Sequence, residues 1–181
     1  SSSAASDVYK RQVDRIVLMG GAMREGGNQS PSAEFNILVD PHAAHVVFEC
    51  GTPIVAMGLD VTHQVLSTPE RIDRIRALGN EAAVATADML EFYNRHDMEK
   101  YGMPGGPLHD PCTVAWLLRP ELFKSKRCNV AVEMASEVTL GHTAVDFWGV
   151  TGRQENTEWV YVADADVFYE LLFDYLGRYS K

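Results

Sequence analysis

Two rhythms of apolar and polar residues run along this chain, and the change between them marks its organisation. From residue 13, short runs that are apolar throughout alternate with longer stretches of helical period. Ile16-Val17-Leu18-Met19, closed by Gly20-Gly21, reads as a strand buried on both faces, and Pro53 to Leu59 reads as a second. Between them Asp40-Pro41 supplies an N-cap and an N1 proline for a helix through about Cys50, where Gly51 stops it. Thr68-Pro69-Glu70 opens another helix in the same way. A longer helix runs from about Asn80 to Glu99, with Val84, Ala87, Leu90 and Phe92 turned inward. The segment Tyr101 to Pro107, rich in glycine and proline, predicts an irregular loop. Asp110-Pro111 then repeats the capping signal before a helix over Cys112 to Leu118.

In the last third the period shortens to two. Cys128 to Met134 and Thr143 to Trp148 alternate as half-exposed strands do, Trp159 to Val162 forms a further short strand, and Asp164 caps a final helix ending near Leu176-Gly177. The sum predicts an α/β fold: an open, mainly parallel, Rossmann-like sheet flanked by helices, with antiparallel strands toward the carboxyl terminus. Residues 1–12 are small and polar and lack core periodicity, so they read as a non-native or disordered leader. Residues 13–181 then form part of a single domain.

Composition narrows the partners. A chain of 181 residues with 46% hydrophobic content is long enough for one domain with a real core. A formal charge of −9 argues against nucleic acid and anionic membrane, and the one basic cluster, Lys124-Ser125-Lys126-Arg127, is too short to reverse that. Cys50, Cys112 and Cys128 make no CxxC pair and suit a reducing, cytoplasmic setting. No apolar stretch is long enough to span a bilayer.

Candidate chemistry gathers in two loops. In open α/β sheets ligands bind beyond the carboxyl ends of strands, and Gly20 to Asn36 leaves such an end. Its glycines allow close backbone approach, and Asn28, Glu34 and Asn36 offer the donors and acceptors that sugar hydroxyls need. Each of these residues singly is also an ordinary turn residue. The second loop, Gly105-Gly106-Pro107-Leu108, delivers His109 and Asp110 together onto a helix start. A carboxylate there can bind a hard cation and an imidazole can give a proton to a leaving group, although Asp-Pro is equally an efficient helix start. His42 and His45 lack a third ligand and read as partly exposed helix residues, while His63 stands at a strand end. Phe92, Tyr93, His96 and Tyr101 form a candidate aromatic edge, with Phe92 better suited to the core; Trp116, Trp148 and Trp159 read as structural. Neither GxGxxG nor GxxxxGK[ST] occurs.

Taken together, Ile16 to Ala22, Gly27-Asn28, Pro31-Ser32-Ala33-Glu34-Phe35-Asn36, Asp40-Pro41 and Pro107 to Thr113 resemble the calcium-dependent nucleoside hydrolases of the inosine/uridine-preferring type. Val114 to Glu121 looks most like their pyrimidine-preferring branch. The resemblance implies an N-glycosidic hydrolase (EC 3.2.2.-) that releases base and ribose from uridine, cytidine or inosine, works with Ca2+, and assembles as a homo-oligomer, dimer or tetramer. It implies that Asn28 and Glu34 hold the ribose 5′-hydroxyl, Asn36 holds the 2′-hydroxyl, and Phe35 packs on the sugar. It further implies that Asp110 binds calcium and the 3′-hydroxyl, with His109 facing the base as a proton donor.

The chain departs from that family in one respect. The amino-terminal DxDxGxDD segment, which supplies most calcium carboxylates and the aspartate that deprotonates water, has no counterpart here, and residues 1–12 offer no substitute. The chain therefore reads as the carboxyl-terminal portion of such a hydrolase, with a truncated sheet and no turnover of its own. A catalytically silent ribose-binding protein and another metal-dependent α/β hydrolase are the alternative readings.

Overall fold

The computed structural model describes residues 13–179, with 96–101 described by backbone alone. The leader expected over residues 1–12 lies outside these residues, and so do the side chains of His96 and Tyr101. In chain order the elements are β1 (Ile16–Met19), α1 (Phe35–Val39), α2 (Pro41–Phe48), β2 (Ile54–Met57), α3 (Leu59–Thr62), β3 (Leu66–Ser67), α4 (Pro69–Arg76), α5 (Glu81–Tyr101), β4 (Gly106–Pro107), α6 (Pro111–Leu118), a 3-10 turn (Pro120–Leu122), β5 (Phe123–Val132), β6 (Thr143–Asp146), β7 (Thr157–Ala163) and α7 (Ala165–Gly177). Two compact units result: residues up to Val61 join Phe123–Val162, and Thr62–Leu122 joins the segment from Ala163 onward.

The first unit is built on a five-stranded sheet in the order β1-β2-β7-β5-β6. β2 runs parallel to β1 on one side and to β7 on the other, whereas β5 and β6 pair antiparallel. This is the α/β fold that the alternating rhythms predict. All four residues of β2 are buried, as expected of a central parallel strand. β1 corrects the sequence reading, because each of its residues is only half-buried. The reason is positional: β1 stands at the edge of the sheet among the described residues, so one side of it has no strand neighbour. Beneath one sheet face, Ile54, Ala56, Cys128, Val130, Val132 and Trp159 pack with Phe48 of α2 and Ile37 of α1. Burial pushes the Cys128 thiol up to about 11, which suits a core residue.

Trp148 is a second correction, since it is 76% exposed and lies beyond β6. Asp146 explains it. Its carboxylate accepts the backbone N–H groups of Val150 and Thr151, folding the chain away from the sheet before Trp148 can join the strand.

The second unit packs α4, α5 and α7 around a two-residue hairpin. Arg71 and Arg74 of α4 lie over the rings of Tyr169 and Phe173 of α7, at 4.2 and 4.0 Å, and pair with Asp166 and Glu170. α5 turns inward through Ala83, Ala87 and Asn94. Of the residues expected there, Ala87 is buried and Leu90 half-buried, but Val84 is on the rim and Phe92 is 77% exposed. Small alanines on the buried stripe let the helix approach closely, and the larger side chains beside them are left outside. Phe92 and Tyr93 thus sit on the surface of α5.

The stripe ends in a polar clip. Asn94 is buried, its Nδ2 donates to Ser67 O, and its Oδ1 accepts the Gly106 N–H at 2.9 Å. One side chain thereby joins β3 to β4, where Leu66 opposes Pro107 and Ser67 opposes Gly106. The loop expected over Tyr101 to Pro107 is thus partly regular, with its end ordered by this clip. Asn94→Ala strands a buried N–H and a buried carbonyl, and is expected to cost about 2–3 kcal/mol of unfolding free energy. Urea denaturation checks this against Met89→Ala, which removes a surface side chain and should stay within about 0.5 kcal/mol.

Candidate active site

The first candidate loop leaves β1 and returns at α1. Glu34, 2% exposed, is the N-cap of α1, and its carboxylate collects three backbone donors. Oε2 accepts from Gly21 at 2.9 Å and from Ile37 at 3.3 Å, while Oε1 accepts from Asn36 at 2.9 Å. A carboxylate so placed answers the orphan N–H groups and positive end of a helix start, and ties that start to the turn after β1. Since a carboxylate has about four acceptor positions, roughly one stays open for a ligand hydroxyl.

Glycine is required at two points of this loop. Gly21 has φ +80, and a Cβ there would lie 2.8 Å from the Thr143 side chain. At Gly27 a Cβ would collide with the carbonyls of Ser30 and Ala33. The same loop is tied from the sheet side, where Thr143 Oγ1 accepts from Ala22 N and donates to Ala22 O. Asp60 Oδ2 and Oδ1 accept the N–H groups of Met23 and Arg24 at 2.6 and 2.7 Å.

What this scaffold presents is a pair of carboxamides and a phenyl ring. Asn28 is half-buried, and its Oδ1 accepts the Phe35 N–H at 2.9 Å. Its NH2 has no partner among the described residues. Asn36 is exposed; its Nδ2 donates to Met19 O at 3.3 Å, and its Oδ1 has no partner among the described residues. Phe35 is 50% exposed. The structure thus brings Asn28, Glu34, Phe35 and Asn36 into one loop and helix start.

The second loop belongs to the other unit and is described by itself. Leu108 N–H donates to Val65 O at 2.8 Å, which carries the chain from the clipped hairpin to His109. His109 is half-buried, with Nδ1 at 2.9 Å from the hydroxyl of Thr62 and its ring centroid 6.1 Å from that of His63. Asp110 is exposed and precedes Pro111 at the start of α6, yet its side chain makes no capping bond. Its backbone is helical at φ −63 and ψ −37, so the carboxylate does not point back over the helix end. The matching starts behave otherwise: Asp40 caps Ala43, Thr68 caps Arg71 and Asp164 caps Val167. Cys112, one turn into α6, is inert, since burial foremost and the nearby Asp110 charge push its thiol up to about 12.

For a metal, Asp110 is the carboxylate expected in this unit; among the described residues no group of three or more His, Cys, Asp or Glu that could hold a metal ion occurs. A calcium ion takes about six to eight oxygens, so these residues do not make a calcium shell by themselves. His42 is exposed and His45 half-buried, in keeping with helix residues rather than ligands. Sequence reasoning missed Asp60, Thr62 and Asn94 as supporting residues. Asp60 had a signal, since it stands just past a strand's carboxyl end, and Asn94 interrupts the apolar stripe of α5.

The family model described as inosine-uridine preferring nucleoside hydrolase matches residues 4–170. The pyrimidine-specific ribonucleoside hydrolase RihA of Shewanella baltica is 50% identical over 170 residues, which is 93% of this chain and 53% of that protein. Among solved structures, the purine-preferring ribonucleoside hydrolase from Gardnerella vaginalis superposes with a TM-score of 0.84 at 31% identity, over 97% of this chain and 55% of that one. A plant nucleoside hydrolase, PpNRh1, gives 0.85 at 25% identity, over 97% and 57%. The chain spans about half the length of the curated relatives it matches.

Glu34 and Asp110 make opposite predictions for stability. Glu34→Gln places an amide NH2 where backbone N–H groups converge and should lower the unfolding free energy by about 1–3 kcal/mol. Asp110→Ala removes no cap and should stay within about 0.5 kcal/mol. Asp164→Ala, which does remove one, should cost about 1 kcal/mol in the same denaturation series.

Proposed function

The chain belongs to the inosine-uridine preferring nucleoside hydrolase family, and we propose that the whole protein cleaves the N-glycosidic bond of ribonucleosides to free base and ribose. The observation that carries this reading is the uncommitted carboxylate of Asp110. At a helix start where Asp40, Thr68 and Asp164 all cap in comparable positions, Asp110 alone keeps its charge for something else. A sugar diol or a hard cation is the partner its chemistry suits.

Cleavage of the bond between base and sugar develops positive charge on the ribosyl ring, so fixed oxygens near the ring lower the barrier. Asn28 and Asn36 supply carboxamide groups for hydroxyls without adding charge, and Glu34 fixes both by ordering the turn and α1 between them. Phe35 offers its exposed ring as an apolar surface for the sugar. His109 gives a proton to the departing base. Calcium is the cation proposed for Asp110, whose carboxylate would be one of its oxygen ligands; bound there, its charge would help to orient a diol and to acidify water.

The 50% identity to RihA favours uridine and cytidine over inosine as substrates. Assembly into a homo-oligomer, dimer or tetramer, is part of the proposal; Val114, Leu117 and Leu118, exposed at helical spacing on α6, suit such a contact. A cytoplasmic site of action accords with three unpaired cysteines. No helix among the described residues is long and apolar enough to cross a membrane.

The complete polypeptide that the gene encodes, assayed for free ribose and base with uridine, cytidine and inosine, tests the reading. Asp110→Ala is expected to lower kcat/KM by about 10²–10³-fold or more while the protein stays folded. An absence of ribose release, or an Asp110→Ala enzyme with unchanged kcat/KM, would contradict it.

A further inference from the structure

Among the described residues the hydroxyl of Thr62 has a single hydrogen-bond partner, His109 Nδ1 at 2.9 Å, and Thr62 itself is 0% exposed. A buried O–H must find an acceptor, because leaving it unmade costs the full desolvation of the donor. The other threonine hydroxyls placed on helices here, Thr86 and Thr113, donate to the carbonyls of Ala82 and Asp110. Thr62 makes no such bond to the backbone of α3. Its hydrogen therefore points at Nδ1, which can accept only when that nitrogen carries no proton.

We propose that Thr62 is a positioning residue that fixes His109 as the neutral tautomer with its proton on Nε2. The ring is held in place from both sides of this bond. Val65 N–H donates to Thr62 O at 3.0 Å and Leu108 N–H donates to Val65 O at 2.8 Å, so the residue bearing the hydroxyl and the residue before the imidazole are laced together. The Asn94 clip on β3 and β4 then limits how far this lacing can shift. The consequence rests on the reading of His109 as donor to the departing base: with Nδ1 occupied by Thr62, the proton available for transfer is the one on Nε2. In that step the Nε2–H bond breaks and a bond from that hydrogen to the base forms, so His109 is left one proton short until water returns it, while Thr62 keeps its hydrogen throughout and donates it to Nδ1 of the proton-depleted ring.

Two measurements on wild type, Thr62→Val and Thr62→Ser separate this role from simple packing. Valine keeps the shape and removes the O–H; serine restores it. Two-bond 15N–1H correlation spectra, assigned with His109→Gln and taken near pH 8.5, about two units above the ordinary imidazole pKa, report the tautomer directly. Wild type and Thr62→Ser are expected to show His109 with Nε2–H alone, and Thr62→Val a mixture with Nδ1–H. In the complete polypeptide, Thr62→Val should lower kcat about tenfold with KM within about twofold, part of the 10²–10⁴ that a general acid contributes, and Thr62→Ser should recover it. A wild-type His109 protonated on Nδ1, or a Thr62→Val spectrum identical to wild type, overturns the proposal. If His109→Gln itself leaves kcat unchanged, the donor reading of His109 fails, while the spectra still decide the tautomer.

Discussion

One buried carboxylate organises the loop between β1 and α1. Glu34 lies almost out of contact with water, and a charge in that position is tolerable only if donors surround it. Three backbone N–H groups do so, from the turn after β1 and from the first turn of α1. The arrangement settles where the chain leaves the sheet, where the helix begins, and which side chains remain outside. Asn28, Phe35 and Asn36 are presented to solvent because Glu34 is not.

The loop that carries His109 and Asp110 follows a complementary logic in its own unit. There the carboxamide of Asn94 orders the backbone and the hydroxyl of Thr62 holds the His109 ring, both groups buried and both partnered. The one charge at the helix start, Asp110, takes no part in holding the backbone. Structure and chemistry are thus divided between different residues, and a carboxylate free of a capping duty can be altered by ligand or cation without unfolding its own helix.

Much of this architecture is legible in residue patterns. The caps at Asp40, Thr68 and Asp164, each before a run of helical period, mark helices that form where expected, and the all-apolar run at Ile54 to Met57 marks the buried central strand. Ile16 to Met19 carries a similar run yet stands at an edge, because local hydrophobicity records how much a strand can bury and not which neighbour it meets. On α5 the inward stripe passes through alanines, so reading the largest side chains as the core face chose Phe92 wrongly. Trp148 misled for a different reason, since the turn that frees it is made by the Asp146 carboxylate and leaves no mark in hydrophobic period. The residues of the loop over Gly20 to Asn36 and the His109-Asp110 pair could be singled out because several polar residues recur in a fixed order. The hydroxyl behind His109 could not, because a threonine in a short helix looks the same whether it faces a histidine or a carbonyl.

The most direct test of the central claim is to follow side-chain amide resonances of 15N-labelled protein during titration with ribose. Asn28 and Asn36 should shift saturably together, and Asn94, whose amide is committed within the fold, should not move. Resonances of Asn28 and Asn36 that stay fixed at saturating sugar, or an Asn94 signal that shifts alongside them, would contradict the account.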